Sequence, residues 1–465
     1  MNQQNKSFAV LTLLFFMWGF ITVMNDLLIN NFKQIFQLTS FQAAFVQFAF
    51  FMAYFIISLT YTIWSFQTGK DPINKLGYKN GMMISLLICA AGCFTFYPAA
   101  IIESYELFLS ALFILASGVT LLQICANPYA AIMGPEETAS SRLNLAQGLN
   151  SLGTTIGPII GSILIYNVFS SGEATATSVS LSYVCYGALF ILAAITLYLS
   201  KMPSFSSGIQ EKILLQDVLQ KSVILGVLAI FFYVGAEVSI GSFLIPYINH
   251  LNLQGIGEQD ANYLISYYWG GAMIGRLMGA ISMNNMMVDS QKRKQMLLTL
   301  VVLLLVLYVA TAIKFDGSFH FHFLPLENLW PFLLLSLVNY FAFIMGKGKT
   351  AKTLFTFVFF ILLFLFLTIL LGGYASLWLL LGIGLFNSII WSNIFTLTIS
   401  KQGKKTSLVS SLLIMAVVGG AILPLIQGWM IDRLGMRISF LIPVLGYSYL
   451  LFFGFFHLKN EAHEK

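Results

Sequence analysis

The chain has 465 residues, of which 58% are hydrophobic and only 9% charged, with a mean hydropathy of +0.84 and a formal net charge of +6. A soluble chain carries about 25% charged residues, so this one cannot cover a water-facing surface. A soluble enzyme, a nucleic-acid-binding protein and a disordered scaffold are excluded together, and a polytopic membrane protein remains.

A helix needs about 20 mostly apolar residues to cross a bilayer, and lipid tolerates only helices or closed barrels. The apolar runs are continuous rather than alternating, which selects helices. In chain order they predict spans near 8–30, 41–66, 79–101, 106–133, 143–168, 178–200 and 222–248. A second set follows near 261–284, 296–314, 329–346, 351–373, 375–399, 407–431 and 437–458, fourteen in all. The first run is not a cleavable signal peptide: it is too long, has only Lys6 ahead of it, carries Asp26 and lacks a small-x-small site.

Placing the N-terminus in the cytoplasm puts 19 of the 24 basic residues inside. They are Lys6, Lys70, Lys75, Lys79, Arg142, Lys201, Lys212, Lys221, Lys292, Arg293, Lys294, Lys347, Lys349, Lys352, Lys401, Lys404, Lys405, Lys459 and Lys465. Lys33, Lys314, Arg433 and Arg437 fall outside, and Arg276 lies within a span. That asymmetry supports both the span count and cytoplasmic termini. Cys89, Cys93, Cys125 and Cys185 lie in apolar stretches as small core residues, with no metal-ligand spacing. The five histidines, at 250, 320, 322, 457 and 463, are read as lying outside the spans, which argues against a histidine proton relay and a membrane metalloenzyme.

The two halves repeat weakly but in order. Gly19, Asp26, Leu28 and Ile29 align with Gly235, Ser242, Leu244 and Ile245 at an offset of 216. The stretch 118–123 aligns with 382–387 at an offset of 264, and Pro158 with Pro424 at 266. The offset jumps by 48 residues, enough for two helices. The organisation expected is an N-terminal six-helix half at 1–201, a linker at 202–221 and a C-terminal half at 222–465 with a helix pair inserted within about 296–373.

Three charged residues sit inside spans and need explaining. Asp26 in the first span costs roughly 2.5–3.5 kcal/mol on insertion scales, so it faces a cavity or a partner. It is either a titrating group of a transport cycle or a structural carboxylate. Glu237 near the middle of the seventh span is either a cavity residue linked to an ion or the structural partner of Arg276, and Arg276 could also snorkel. Span 5 supplies Asn144, Gln147, Asn150 and Ser151 at spacings of three and four, which put them on one helix face and suit hydrogen bonding to another helix. The glycine runs at 153, 157, 161 and at 271, 275, 279 read as close-packing surfaces rather than phosphate cradles.

Longer motifs are more specific. Trp18–Phe50 carries WGF, NDLLI and FQAAFVQFAF; ANPY follows at 126–129, GPEETASSRLNLAQGLNSLG at 134–153, YVGAEVSIGSFLI at 233–245, GLFNSIIWSNIFTL at 384–397 and LIMAVVGGAILPLIQG at 413–428. Together they resemble the fucose–galactose–glucose:proton symporter family of the major facilitator superfamily, along nearly the whole chain. The superfamily's loop signature between spans 2 and 3 is present only in a degenerate form, at Gly69, Asp71, Lys75, Gly77 and Lys79; a closer textual match at Gly428–Arg437 falls on the predicted outer side and is read as coincidence.

The resemblance implies a major facilitator fold and proton-coupled uptake of a hexose by alternating access. Asp26 would be the proton-coupling acid, with Glu237 as a second coupling candidate. The substrate-binding set would be Trp18, Asn25, Gln123, Asn127, Asn144, Gln147, Asn150, Asn387 and Trp391, with Asn393 a weaker candidate. Gln123 stands where fucose-transporting members have Glu, and Glu237 where they have an amide, which points to the glucose/galactose branch. Fucose, another sugar or sodium coupling are alternatives, and a membrane enzyme or non-transporting sugar sensor are remote ones. No cofactor is expected beyond the co-transported proton, or sodium. The partners expected are a small sugar and the bilayer, with no nucleic acid, in a monomer of a bacterial inner membrane.

Overall fold

The computed structural model describes residues 3–38, 42, 45–171, 173–203, 216, 220–253, 258–315, 319–321, 323–400 and 402–463. Most of the expected linker 202–221 lies outside the described residues. The first elements are α1 (Gln3–Ile35), α2 (Phe45–Thr68), the short α3 (Pro72–Leu76), α4 (Tyr78–Ile102), α5 (Tyr105–Ile132), α6 (Ala139–Ser162, running on as a wider turn to Val168) and α7 (Ala176–Leu199). Then come α8 (Lys221–Leu251), α9 (Glu258–Ser282), α10 (Asp289–Ala312), α11 (Leu326–Gly346), α12 (Thr350–Leu371), α13 (Gly373–Asn387), α14 (Ile390–Ile399), α15 (Thr406–Met415), α16 (Gly419–Leu434), α17 (Met436–Ser439) and α18 (Leu441–His463).

Thirteen helical runs among the described residues are long and apolar enough to cross a membrane, with α13–α14, α15–α16 and α17–α18 each counting as one. The fourteenth expected span is α9, whose apolarity is diluted by Arg276 and by its tyrosines and glycines, yet which packs against α13 as an interior helix. Between α10 and α11 a two-stranded antiparallel hairpin, β1 (Ile313–Phe315) and β2 (Phe319–Phe321), pairs Lys314 with His320. One expectation is corrected. His457 lies inside α18, which continues to His463, with its ring on Phe453 at 4.6 Å between centroids, and His250 lies in the last turn of α8, inside a run long and apolar enough to cross a membrane.

The chain forms two compact units. The first comprises 1–134, 149–227 and 398–421; the second comprises 135–148, 228–397 and 422–465. In the first, α4 packs against α5 and α7, and α2 against α5. Small residues set this closeness: a Cβ on Gly92 would sit 2.4 Å from the Leu115 nitrogen, and one on Gly118 2.6 Å from the Cys89 nitrogen. Cys89, Cys93 and Cys125 are buried and unbridged, as core residues should be. The run at Gly153 and Gly157 lets α6 lie on the α1 backbone, since a Cβ on Gly153 would meet the Phe16 carbonyl at 2.2 Å.

The second unit repeats the pattern with different members. Here α12 packs against α13 and α18, and α9 against α13. Phe357, Phe360 and Phe364 of α12 surround Phe386, with ring centroids 5.2–5.3 Å apart. A Cβ on Gly275 would come within 2.6 Å of the Leu385 carbonyl, so the second glycine run is also a packing surface. Helices α10 and α11 join this packing against α9 and against each other. Helix α10 leans on α9 and leaves Leu298, Val302, Leu305 and Val309 exposed, as a lipid-facing helix does.

Candidate functional site

The sequence-predicted residues fall into two groups, one in each unit. In the first unit, Asp26 sits in the α1 backbone, and its side chain is outside the described residues. Its neighbour Asn25 is buried, and the Asn25 Oδ1 has no hydrogen-bond donor. Trp18, two turns earlier, is buried against Phe15 with centroids 5.3 Å apart. Gln123 of α5 donates from Nε2 to the Tyr54 hydroxyl of α2 at 2.7 Å, and Trp18 and Thr22 of α1 lie beside the same hydroxyl. Tyr54 therefore ties together three helices that each bring a predicted or neighbouring residue. Asn127 is fully buried one turn below Gln123, and Asn150 Nδ2 donates to the Phe15 carbonyl at 3.1 Å.

In the second unit, Asn144 Nδ2 donates to the Ser140 carbonyl at 2.9 Å and contacts Met283 Sδ at 3.4 Å, and Gln147 is buried. The centre of this group is a break in the span that α13 and α14 form. Helix α13 ends at Asn387 and α14 resumes at Ile390, which releases backbone carbonyls inside the bundle. Carbonyls released at membrane depth must find donors, and side chains from other helices supply them. Tyr233 of α8 reaches the Asn387 carbonyl at 3.2 Å, and Arg276 Nε of α9 donates to the Ser388 carbonyl at 3.3 Å.

Asn387 itself is engaged on its side chain as well. Its Nδ2 donates to the Tyr268 hydroxyl at 2.8 Å, and its Oδ1 accepts from the Tyr447 hydroxyl at 2.6 Å. The same Tyr233 hydroxyl lies closer to Glu237 Oε1, at 2.7 Å one turn along its helix, so its single proton is shared between the two oxygens. The charge of Arg276 bears on Glu237 across this network. Thus Glu237 and Arg276, offered as a pair from sequence, and Asn387, named apart from them, belong to one connected arrangement. One turn beyond the break, Trp391 is buried, stacks on Phe395 and keeps an indole N–H with no acceptor.

Sequence reasoning missed the tyrosines. Tyr233 could have been found, because it precedes Glu237 by four residues and so shares its helix face. Tyr54, Tyr268 and Tyr447 meet their partners only through the tertiary fold. Also missed were the partners of Asp71. The degenerate loop signature places Asp71 as the N-cap of α3, accepting from the Ile73 nitrogen at 2.9 Å. The buried Asp71 carboxyl also accepts from the Tyr61 hydroxyl at 2.5 Å and from the Ser407 hydroxyl at the start of α15. Burial pushes its pKa above the ordinary value, while the Ser407, Tyr61 and backbone hydrogen bonds pull the other way.

Comparison with known proteins agrees with this architecture. Residues 7–346 match the Major Facilitator Superfamily. The chain belongs to that superfamily. It is 37% identical to a glucose/galactose transporter of Brucella abortus, over 99% of this chain and 96% of the relative. A putative glucose/galactose transporter of Helicobacter pylori is 36% identical over 97% of each chain. The Escherichia coli L-fucose-proton symporter is 28% identical over 98% of this chain and 94% of its own. A crystal structure of the Escherichia coli fucose:proton symporter superposes with a TM-score of 0.73 at 26% identity, covering 98% of this chain and 99% of that one. The resemblance read from the motifs therefore holds along the whole chain. This is a multi-pass membrane transporter with the major facilitator fold, and the membrane-enzyme reading falls away.

Proposed function

We propose that this protein takes up a hexose of the glucose/galactose type together with a proton, by alternating access, as a monomer in a bacterial inner membrane with both termini in the cytoplasm. The observation that carries the reading is similarity over 99% of the chain to a protein named a glucose/galactose transporter. Gln123 adds to it, because its amide is committed to Tyr54 where fucose-transporting members are expected to hold a titratable acid. The six-plus-six plan, with α10 and α11 as the inserted pair and 202–221 as the linker, belongs to the same proposal.

In this mechanism Asp26 carries the proton, and sugar and proton load from outside. Release inside follows deprotonation. One charge moving inward gains about 2.3 kcal/mol per 100 mV, so a single proton supports substantial accumulation. Sugars are held by amide and carboxylate hydrogen bonds and by aromatic faces under their C–H surfaces. In the first unit Trp18 offers such a face and the Asn25 carbonyl oxygen a buried group that protein partners leave open; in the second unit Trp391 offers a face and an indole N–H without an acceptor. Glu237 and Asn387 work differently: Asn387 has both side-chain ends occupied and serves to hold Tyr233 and Glu237 in place.

The test is labelled galactose uptake into proteoliposomes under an imposed proton gradient, with a protonophore control and a panel of competing hexoses. Uptake that collapses with the protonophore and is competed by glucose supports the reading. Uptake that needs sodium at constant pH, or that only fucose competes, overturns it.

A further inference from the structure

The helix pair α10–α11 carries a concentration of positive charge that the transport mechanism does not use. Lys292, Arg293 and Lys294 lie in the first turns of α10, and Lys347, Lys349 and Lys352 flank the turn from α11 into α12. The fold brings the two sets together: a Cβ on Gly348, in the middle of that turn, would lie 3.2 Å from Lys292 Nζ. Tyr340 of α11 closes the seam by donating to the Arg293 carbonyl at 3.3 Å.

Lys292 is the unusual member. Its side chain is only 9% exposed, and its anionic neighbour, Asp289, stands at 3.9 Å, beyond hydrogen-bond length, and is itself 88% exposed. Burying an ammonium against so weak a partner is unfavourable unless a further anion completes the site. A second feature points the same way. The 22-residue α12 begins beside Lys292 with Lys349 at its N-cap and no side chain capping it, so its first N–H groups and the positive end of its dipole face the cluster. Among the described residues the acidic side chains at this end are Asp289, Glu136 and Glu137, the last of whose carbonyl accepts from Asn285, three against these six cations and Arg142. Directly along α10 from the cations runs the exposed apolar strip through Leu297, Val301 and Leu305.

We propose that the end of the α10–α11 pair bearing Lys292, Lys349 and Lys352 is a binding site for the phosphate headgroup of an acidic phospholipid, whose acyl chains lie along α10. Charge complementarity selects an anion, and the adjoining lipid-facing strip selects an anion attached to hydrocarbon. Basic clusters between membrane helices are a recurrent form of headgroup site.

Native mass spectrometry of the full-length protein, titrated with phosphatidylglycerol or phosphatidylcholine, tests this. Phosphatidylglycerol should be retained preferentially, and Lys292→Gln, Lys349→Gln and Lys352→Gln should each weaken retention by about five-fold. Lys292→Arg should retain it, which separates loss of charge from loss of fold. Equal retention of the two lipids overturns the proposal. So does an equal loss on Lys459→Gln, which would mean diffuse attraction, or displacement of the lipid by millimolar inorganic phosphate, which would mean a site for a free anion.

Discussion

Two buried polar clusters, one in each unit, use the same residue types and differ in how completely they are closed. Around Tyr54, Gln123 supplies one amide hydrogen bond, while the Asn25 carbonyl oxygen nearby is buried without a donor. Around Asn387, both side-chain ends and the backbone carbonyl are taken, by Tyr268, Tyr447 and Tyr233. Buried polar groups are almost always satisfied, so an open end inside a transporter marks where a ligand can substitute for protein. A closed end fixes geometry instead. Residue type alone does not separate the two, since each centres on a buried amide hydrogen-bonded to a tyrosine hydroxyl.

The largest effect is expected at Asp26, the proposed coupling acid. Asp26→Asn should reduce gradient-driven accumulation from a limit of about fifty-fold per 100 mV to equilibration, while leaving exchange of internal for external sugar. Normal accumulation in that variant would remove Asp26 from the coupling role. Next in size is Asn387→Ala, which strips partners from two buried tyrosine hydroxyls. Leaving a buried polar group unsatisfied costs roughly 1–3 kcal/mol, so the thermal midpoint in detergent should fall clearly and uptake with it. Unchanged stability would show that the Asn387 network is not closed in the working protein.

Asp71 tests whether closure rather than location decides. It lies in the first unit yet is engaged by Ser407, Tyr61 and the α3 backbone. Its carboxyl is held above the ordinary pKa by burial, so the folded state favours the protonated acid. That contribution is full below the ordinary carboxylate pKa and is lost as pH rises through the higher folded value. Asp71→Asn should therefore flatten the decline in thermal stability across mildly acidic pH. An unaltered slope would exclude Asp71 as its source. The smallest effect is expected for Tyr54→Phe. The cluster loses one interhelical hydrogen bond, worth about 0.6 kcal/mol on average between membrane helices, and leaves one buried amide donor open where Asn387→Ala leaves two hydroxyls, so stability should fall less than in that variant while sugar affinity shifts. A stability loss as large as that of Asn387→Ala would erase the distinction between the clusters.

The spans were legible because hydropathy and length are local properties; α9 was found by its place in the pattern even though Arg276 weakens its signal. The glycine runs were legible too, since spacing alone puts Gly153 and Gly157 on one face. The break at Ser388 was not, because nothing in GLFNSIIW forbids a continuous helix; tertiary donors at Tyr233 and Arg276 stabilise the released carbonyls. For the same reason Asn387 was read as a substrate-binding candidate, while its three tyrosine partners come from α8, α9 and α18, far apart in sequence. Lys292 was counted only as one of nineteen basic residues marking a membrane face, and its burial emerged from the α11–α12 turn folding over it.

The convergence on Asn387 has a kinetic consequence. Three hydroxyls from three helices meet one residue at a helix break, so no one of those helices can slide far without surrendering its bond there, and the others lose their common anchor when it does. Packed interiors of this kind rearrange between discrete arrangements rather than by continuous deformation. The region should accordingly behave as a latch with two settings, and uptake records of single molecules should show abrupt steps with no intermediate dwell assignable to this segment.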